Sequence, residues 1–155
     1  MSKTNAIRIL ETHKVLFDTV SYDVDENDLS GVAVALKVGA DPDTVFKTLV
    51  CIGDKIGHVV FCIPVTTDLD LKKAASSSGN KKVEMLKVKD LFPLTGYVRG
   101  GCSPVGMKKP LPTYIDETAQ VFERIYVSAG VRGTQVKICP DDLIRIVEAH
   151  YAELI

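Results

Sequence analysis

Apolar positions along this chain come in short blocks rather than long runs. Two adjacent blocks stand out: Val45-Phe46-Lys47-Thr48-Leu49-Val50-Cys51-Ile52 and His58-Val59-Val60-Phe61-Cys62-Ile63-Pro64. Both have the length and β-branched or aromatic content of strands, and Gly53-Asp54-Lys55-Ile56-Gly57 between them has turn chemistry, which predicts a hairpin. Shorter strands are predicted at Asp18 to Tyr22, Lys82 to Met85, Tyr114 to Asp116, Ile125 to Ser128 and Gln135 to Ile138. Helical spacing appears elsewhere. Thr4 caps a helix over Asn5 to Thr12 whose apolar side is Ile7, Ile9 and Leu10. Ser30-Gly31 opens a second helix, stopped by Gly39, and Asp41-Pro42-Asp43 begins a short turn or helix. Asp68 caps a third helix reaching Ser78, and Val88 to Phe92 is a short fourth. Pro140 takes the first position of the last, which Ile144, Val147, Tyr151 and Leu154 extend almost to the end. Strands and helices alternate without a regular βαβ cycle. The expected class is α/β of an α+β-like kind: a mixed, mostly antiparallel sheet curled around a core, with helices outside.

Composition narrows the class without changing it. At 155 residues, 46% hydrophobic and 25% charged, with mean hydropathy +0.13, the chain reads as one soluble domain spanning 1–155. It has no apolar run near the roughly 20 residues of a membrane helix. The stretch from Met1 to Arg8 lacks the apolar core of a signal peptide, so a cytoplasmic protein is expected. Cys51, Cys62, Cys102 and Cys139 form no CxxC pair and suggest neither a metal site nor a disulfide framework. The net charge of −1 hides an asymmetry: Met1 to Val45 holds eight acids and four bases, whereas Lys72 to Lys109 holds nine bases against Glu84 and Asp90. A basic middle suits a phosphate-bearing partner, and it equally describes a solvated surface with lysines facing several ways.

Candidate chemistry concentrates in two places. Thr95 to Asp116 carries glycines at 96, 100, 101 and 106 and prolines at 104, 110 and 112. Backbone N–H groups near Gly100 and Gly101 are candidates to hold an anion or a carbonyl oxygen, with Cys102 and Ser103 beside them. Cys102 is either a small turn residue or a reactive thiol. The second place is Lys47, a cation in an apolar strand, on one face with Val45, Leu49 and Cys51. It is either an edge lysine that discourages aggregation or a cation at a pocket rim that grips a phosphate or carbonyl. Thr48 points to the other face. Ser128 fits turn chemistry and Tyr22 a half-buried aromatic. No HExxH, GxSxG or P-loop pattern occurs, and His13, His58 and His150 lie far apart. An enzyme built from these residues works by positioning and electrostatics rather than by a strong base.

In order along nearly the whole chain, Val45-Phe46-Lys47-Thr48-Leu49, Leu69-Asp70-Leu71-Lys72-Lys73, Lys81-Lys82-Val83-Glu84-Met85, Thr95-Gly96-Tyr97, Gly100-Gly101-Cys102-Ser103-Pro104, Pro112-Thr113-Tyr114-Ile115-Asp116 and Ile125-Tyr126-Val127-Ser128 resemble the YbaK family of bacterial aminoacyl-tRNA editing proteins, related to the editing domain of prolyl-tRNA synthetases. The resemblance implies a barrel-like sheet surrounded by helices. It implies a trans-acting deacylase clearing cysteine from tRNA(Pro), and from tRNA(Cys), with the substrate's own thiol attacking its ester. It places the key lysine at Lys47 and pocket positions at Tyr22, Thr48, Gly101 and Ser128; the backbone N–H groups near Gly101 make that glycine the second catalytic candidate. Two pocket positions depart from the family pattern: Gln135 stands where relatives often carry an acid, and Ser30 where a phenylalanine is common. Aminoacyl-tRNA and prolyl-tRNA synthetase are the implied partners, with no cofactor, metal or membrane. The alternatives are a hydrolytic editor of another small aminoacyl-tRNA such as Ala-tRNA(Pro), a non-catalytic RNA- or synthetase-binding module, and a cell-envelope regulatory protein.

Overall fold

The hairpin of β2 (Phe46–Gly53) and β3 (His58–Pro64) forms the spine of the computed structural model, which describes residues 3–155; Met1 and Ser2, read above with the N-terminal stretch, lie outside the described residues. The two strands pair antiparallel from Phe46–Pro64 to Ile52–His58. The turn between them is closed by Gly53 N–H donating to Gly57 O at 2.7 Å. Apolar side chains dominate both strands because both faces of the hairpin are covered: Val59, Phe61 and Ile63 pack into one core cluster, and Val60 and Cys62 into another.

Around this hairpin a five-stranded sheet runs in the order β4 (Val83–Met85), β2, β3, β5 (Thr113–Asp116), β8 (His150–Ala152). Its β4–β2–β3 part is antiparallel, while β5 joins β3 in parallel and β8 joins β5 in parallel. A second, antiparallel sheet has the order β1 (Phe17–Ser21), β7 (Thr134–Ile138), β6 (Ile125–Ser128). The sheets touch through one parallel bridge, Val45 to Tyr126. The α+β-like, mostly antiparallel class expected from the sequence is observed, as two sheets leaning together rather than a closed barrel among the described residues.

Among the described residues five α-helices complete the fold: α1 (Asn5–Thr12), α2 (Gly31–Val38), α3 (Leu71–Ser77), α4 (Val88–Thr95) and α5 (Pro140–Val147). Thr4 accepts from Ile7 N–H and Ser30 from Ala33 N–H, as helix-capping side chains do. Two expectations are corrected. Asp70, not Asp68, caps α3, its carboxylate accepting from the N–H groups of Lys72 and Lys73. The last helix stops at Val147, where Glu148 takes the left-handed conformation (φ 55°), and the chain continues into β8. Tyr151 and Leu154 keep helical spacing but serve a strand and its tail; Leu154 N–H donates to the buried carboxylate of Asp116 at 2.9 Å. No helix among the described residues is long and apolar enough to cross a membrane.

Candidate functional site

The two halves of β2 differ in cover. Near its end, β4 pairs with residues Cys51–Gly53 only. At its start β2 has β3 on one side, and on the other the Val45–Tyr126 bridge turns it toward β6. That bridge is parallel, so Lys47 is level with Ser128 along the two strands. Between them opens a cleft of about 400 Å³. Lys47, Thr48 and Leu49 come from β2; Ser128 and Gln135 come from β6 and β7, where they are cross-strand partners. The start of α2 contributes Ser30 and Gly31, and the glycine loop contributes Arg99, Gly100 and Cys102. Met85, Leu86, Val88 and Leu91 form an apolar wall.

Lys47 is half-buried at this cleft and belongs to no ion pair found among the described residues. The reading of Lys47 as a cation at a pocket rim is therefore the one its position matches, although that rim is also the uncovered edge of β2. Arg99 is a second cation in the wall, not singled out by the sequence reading; its only signal there is its place inside the glycine loop. No aspartate or glutamate lines the cleft among the described residues. The basic segment as a whole does not gather there. Lys73 is held by Glu153, and Lys82 by Glu84, while Lys87 and Lys89 border a separate hollow beside α4.

The glycine loop differs in detail from expectation. Gly101 N–H donates to Val98 O at 2.9 Å, closing a turn with Arg99 and Gly100 at its centre. Gly100 holds φ +85° there, the conformation that favours glycine at the third position of a type II turn. Gly101 is buried, does not line the cleft, and has its N–H engaged, so it does not offer the donor expected of it. Its lack of a side chain serves packing: a Cβ would lie 3.0 Å from the backbone N of Arg132. The N–H groups of Gly100 and Cys102 on either side show no hydrogen-bond partner among the described residues. Ser103 is likewise buried away from the cleft, its hydroxyl accepting from Val105 N–H. Tyr22 also lies outside the cleft wall; its N–H donates to Gly133 O, prolonging the β1–β7 pairing toward the hairpin turn. Of the ten residues expected at the site, Lys47, Thr48, Ser30, Gly100, Cys102, Ser128 and Gln135 come together, and Tyr22, Gly101 and Ser103 do not.

Protonation within the cleft follows burial. The Cys102 thiol is pushed up to about 12 by desolvation, as is Cys62 beneath Thr48. Both stay neutral at physiological pH, and a neutral thiol is a poor nucleophile. Cys102 is thus the small buried residue rather than a reactive one. Thr48 Oγ1 lies 3.7 Å from Cys62 Sγ. Ser128 Oγ accepts from Gly130 N–H at 3.1 Å. Gln135 is the exception: only 5% exposed, its Oε1 has no partner among the described residues. No group of three histidine, cysteine or acidic side chains suited to a metal ion is found among the described residues.

Residues 27–146 match the model of the aminoacyl-tRNA editing domain. The chain is 49% identical over 152 residues to an Enterococcus faecalis protein provisionally named Cys-tRNA(Pro)/Cys-tRNA(Cys) deacylase EbsC, covering 98% of this chain and 93% of that one. Among solved structures, a protein provisionally described as a trans-editing enzyme for prolyl-tRNA synthetase superimposes with a TM-score of 0.83 at 27% identity, covering 99% of this chain and 98% of that one. A hypothetical protein with 18% identity superimposes with a TM-score of 0.88, covering 97% of this chain and 99% of that one, and so shares the fold.

Proposed function

The chain belongs to the aminoacyl-tRNA editing domain family, and on that premise we propose that residues 1–155 act as one trans-acting deacylase that removes cysteine from Cys-tRNA(Pro), and from Cys-tRNA(Cys). The observation that carries the reading is Lys47, unpaired among the described residues, in a 400 Å³ cleft whose described wall includes a second cation and no carboxylate. Such a cleft suits the phosphate, ribose and carbonyl oxygens at an aminoacylated tRNA 3′ end. Its volume lies within the range of small-ligand pockets.

The residues assign themselves to the steps. Lys47, with Arg99 across the cleft, grips the terminal nucleotide so that the ester is folded toward β6. The cysteinyl Sγ attacks its own carbonyl carbon. A C–S bond forms, the ester C–O bond breaks, and the thiol proton passes to the departing ribose oxygen, leaving a cyclic thioester and deacylated tRNA. Negative charge on the carbonyl oxygen is met by the unengaged N–H groups of Gly100 and Cys102, in place of Gly101. Because the nucleophile arrives with the substrate, the cleft needs no base, and its apolar wall keeps water from the ester. The tRNA-binding contacts are mainly to backbone charge and carry little sequence information, so selection among tRNAs is weak. Prolyl-tRNA synthetase is the partner expected to release the mischarged tRNA to this protein.

The test is a panel of cysteinyl-, alanyl- and prolyl-tRNA(Pro) with purified protein. Cysteine is expected to be released fastest. Release of alanine at an equal rate would make the protein a general hydrolytic editor instead, and release of none would leave only an RNA- or synthetase-binding role.

A further inference from the structure

The turn that carries Gly100 is held from outside by one residue of the β6–β7 connection. Arg132 Nε donates to Arg99 O at 2.8 Å. The two segments are packed closely there: a Cβ on Gly101 would lie 3.0 Å from Arg132 N, and one on Gly100 would lie 3.3 Å from Arg132 Nε. Within the turn, Gly101 N–H closes on Val98 O. Among the described residues no other hydrogen bond ties residues 98–102 to a different part of the chain. We propose that Arg132 is a positioning residue for the deacylation, locking the Arg99–Gly100 peptide in the orientation that presents the Gly100 N–H to the substrate. This rests on the editing reading given above and names what holds in place the oxyanion donor which that reading uses.

Arg99 O and the Gly100 N–H belong to one planar trans peptide and point in opposite directions. That peptide is the centre of the turn over 98–101, and type I and type II turns differ by its reversal. Gly100 at φ +85° marks the type II form, and glycine takes the backbone angles of either form with little strain. With nothing to hold it, the peptide is free to flip, exchanging the places of its carbonyl and its N–H. Arg132 stands outside the cleft wall and Gly100 within it. A hydrogen bond drawn from that side keeps the carbonyl outward and leaves the N–H on the inner side. The orientation matters because a donor stabilises a developing oxyanion only when it is aimed before charge appears. Arg132 therefore acts through Gly100 and touches no reacting atom.

The experiment removes the donor while keeping side-chain length. Arg132→Gln keeps an N–H at the position of Nε and loses the charge; Arg132→Met loses both. Each variant is checked by circular dichroism, and kcat and KM for Cys-tRNA(Pro) are measured separately. The turn is followed by NMR: the Gly100 N–H lies against Arg99 Hα in the type II form and against the Arg99 N–H once the peptide reverses. In Arg132→Met, kcat is expected to fall by about tenfold or more with KM within about twofold of wild type, and the contact between the two N–H groups appears. Arg132→Gln restores the type II contact and returns kcat to within about threefold of wild type. A raised KM that Arg132→Gln does not rescue would make Arg132 a phosphate contact and overturn the assignment. An unchanged kcat in Arg132→Met, or a loss of kcat with the turn unaltered, overturns it as well, and both leave the editing reading standing. If the wild type releases no cysteine, the editing reading itself fails, and the role of Arg132 in it falls too, whatever the turn shows.

Discussion

The two ends of strand β2 make an instructive contrast. At the far end Asn80 and Asp54 spend their polar groups on the protein. Asn80 is buried there, its Oδ1 accepting from the N–H groups of Lys55 and Ile56 and its Nδ2 donating to Ser78 Oγ. Asp54 accepts from the N–H groups of Lys81 and Lys82, which holds its carboxylate below the usual range despite an opposing desolvation effect. At the near end of the same strand, Lys47 has no counter-ion, and on neighbouring β7 Gln135 Oε1 has no donor, among the described residues. One strand thus ends in a closed structural joint and begins at an open cleft. Unspent bonding capacity, more than polarity as such, marks the functional end.

The widest separation between the ends is expected in chemistry. Replacing the acyl group by serine, which keeps every contact except the thiol, is expected to slow release by roughly a hundredfold, since a hydroxyl is far less nucleophilic than a thiol near neutral pH. Equal rates for seryl- and cysteinyl-tRNA(Pro) would remove self-attack and make the near end a hydrolytic site. Next comes the joint. Asn80→Ala strands two turn N–H groups and is expected to cost about 2 kcal/mol in denaturant unfolding. Its kcat/KM should hold; a parallel loss of activity would erase the contrast between the ends. At the open end, Gln135→Leu is expected to raise unfolding stability by about 1 kcal/mol, because it removes a buried acceptor with no partner. Destabilisation of that variant would mean that Gln135 is structural.

A separate effect concerns alkali and should involve both ends. Burial raises Cys51 to about 11 and Cys62 and Cys102 to about 12, against an ordinary thiol value of 9.0. The unfolded chain therefore loses these protons first. Stability from the neutral buried thiols is complete below pH 9 and declines as pH rises from there toward the folded-state values. Chemical-denaturation midpoints at pH 8 and pH 10 should show the fall, with no counterpart between pH 7 and 8 from these groups.

Legibility from sequence follows the same division. The hairpin of β2 and β3 was readable because both strands are apolar on two faces and the turn between them is polar. Helix α1 was readable because Thr4 is a capping residue in front of an apolar stripe. The end of α5 was not, since Ile144, Val147, Tyr151 and Leu154 hold helical spacing across a break made by the backbone at Glu148. What decides that segment is the pairing of β8 with β5, a long-range contact that local spacing cannot carry. At the site, Lys47 was visible because a cation in an apolar strand is anomalous. Arg99 was not, since an arginine in a loop is ordinary. Gly101 announced a close approach without saying to what; its neighbour is the backbone of residues 131–132, not a ligand.

Everything at the open end converges on the uncommitted ammonium group of Lys47. The direct measurement is single-turnover deacylation of Cys-tRNA(Pro) by Lys47→Ala, with Lys47→Arg alongside and both variants matched to wild type by thermal unfolding. The account predicts a loss of roughly a hundredfold or more in Lys47→Ala, with partial recovery in Lys47→Arg. A folded Lys47→Ala that releases cysteine at the wild-type rate would contradict it.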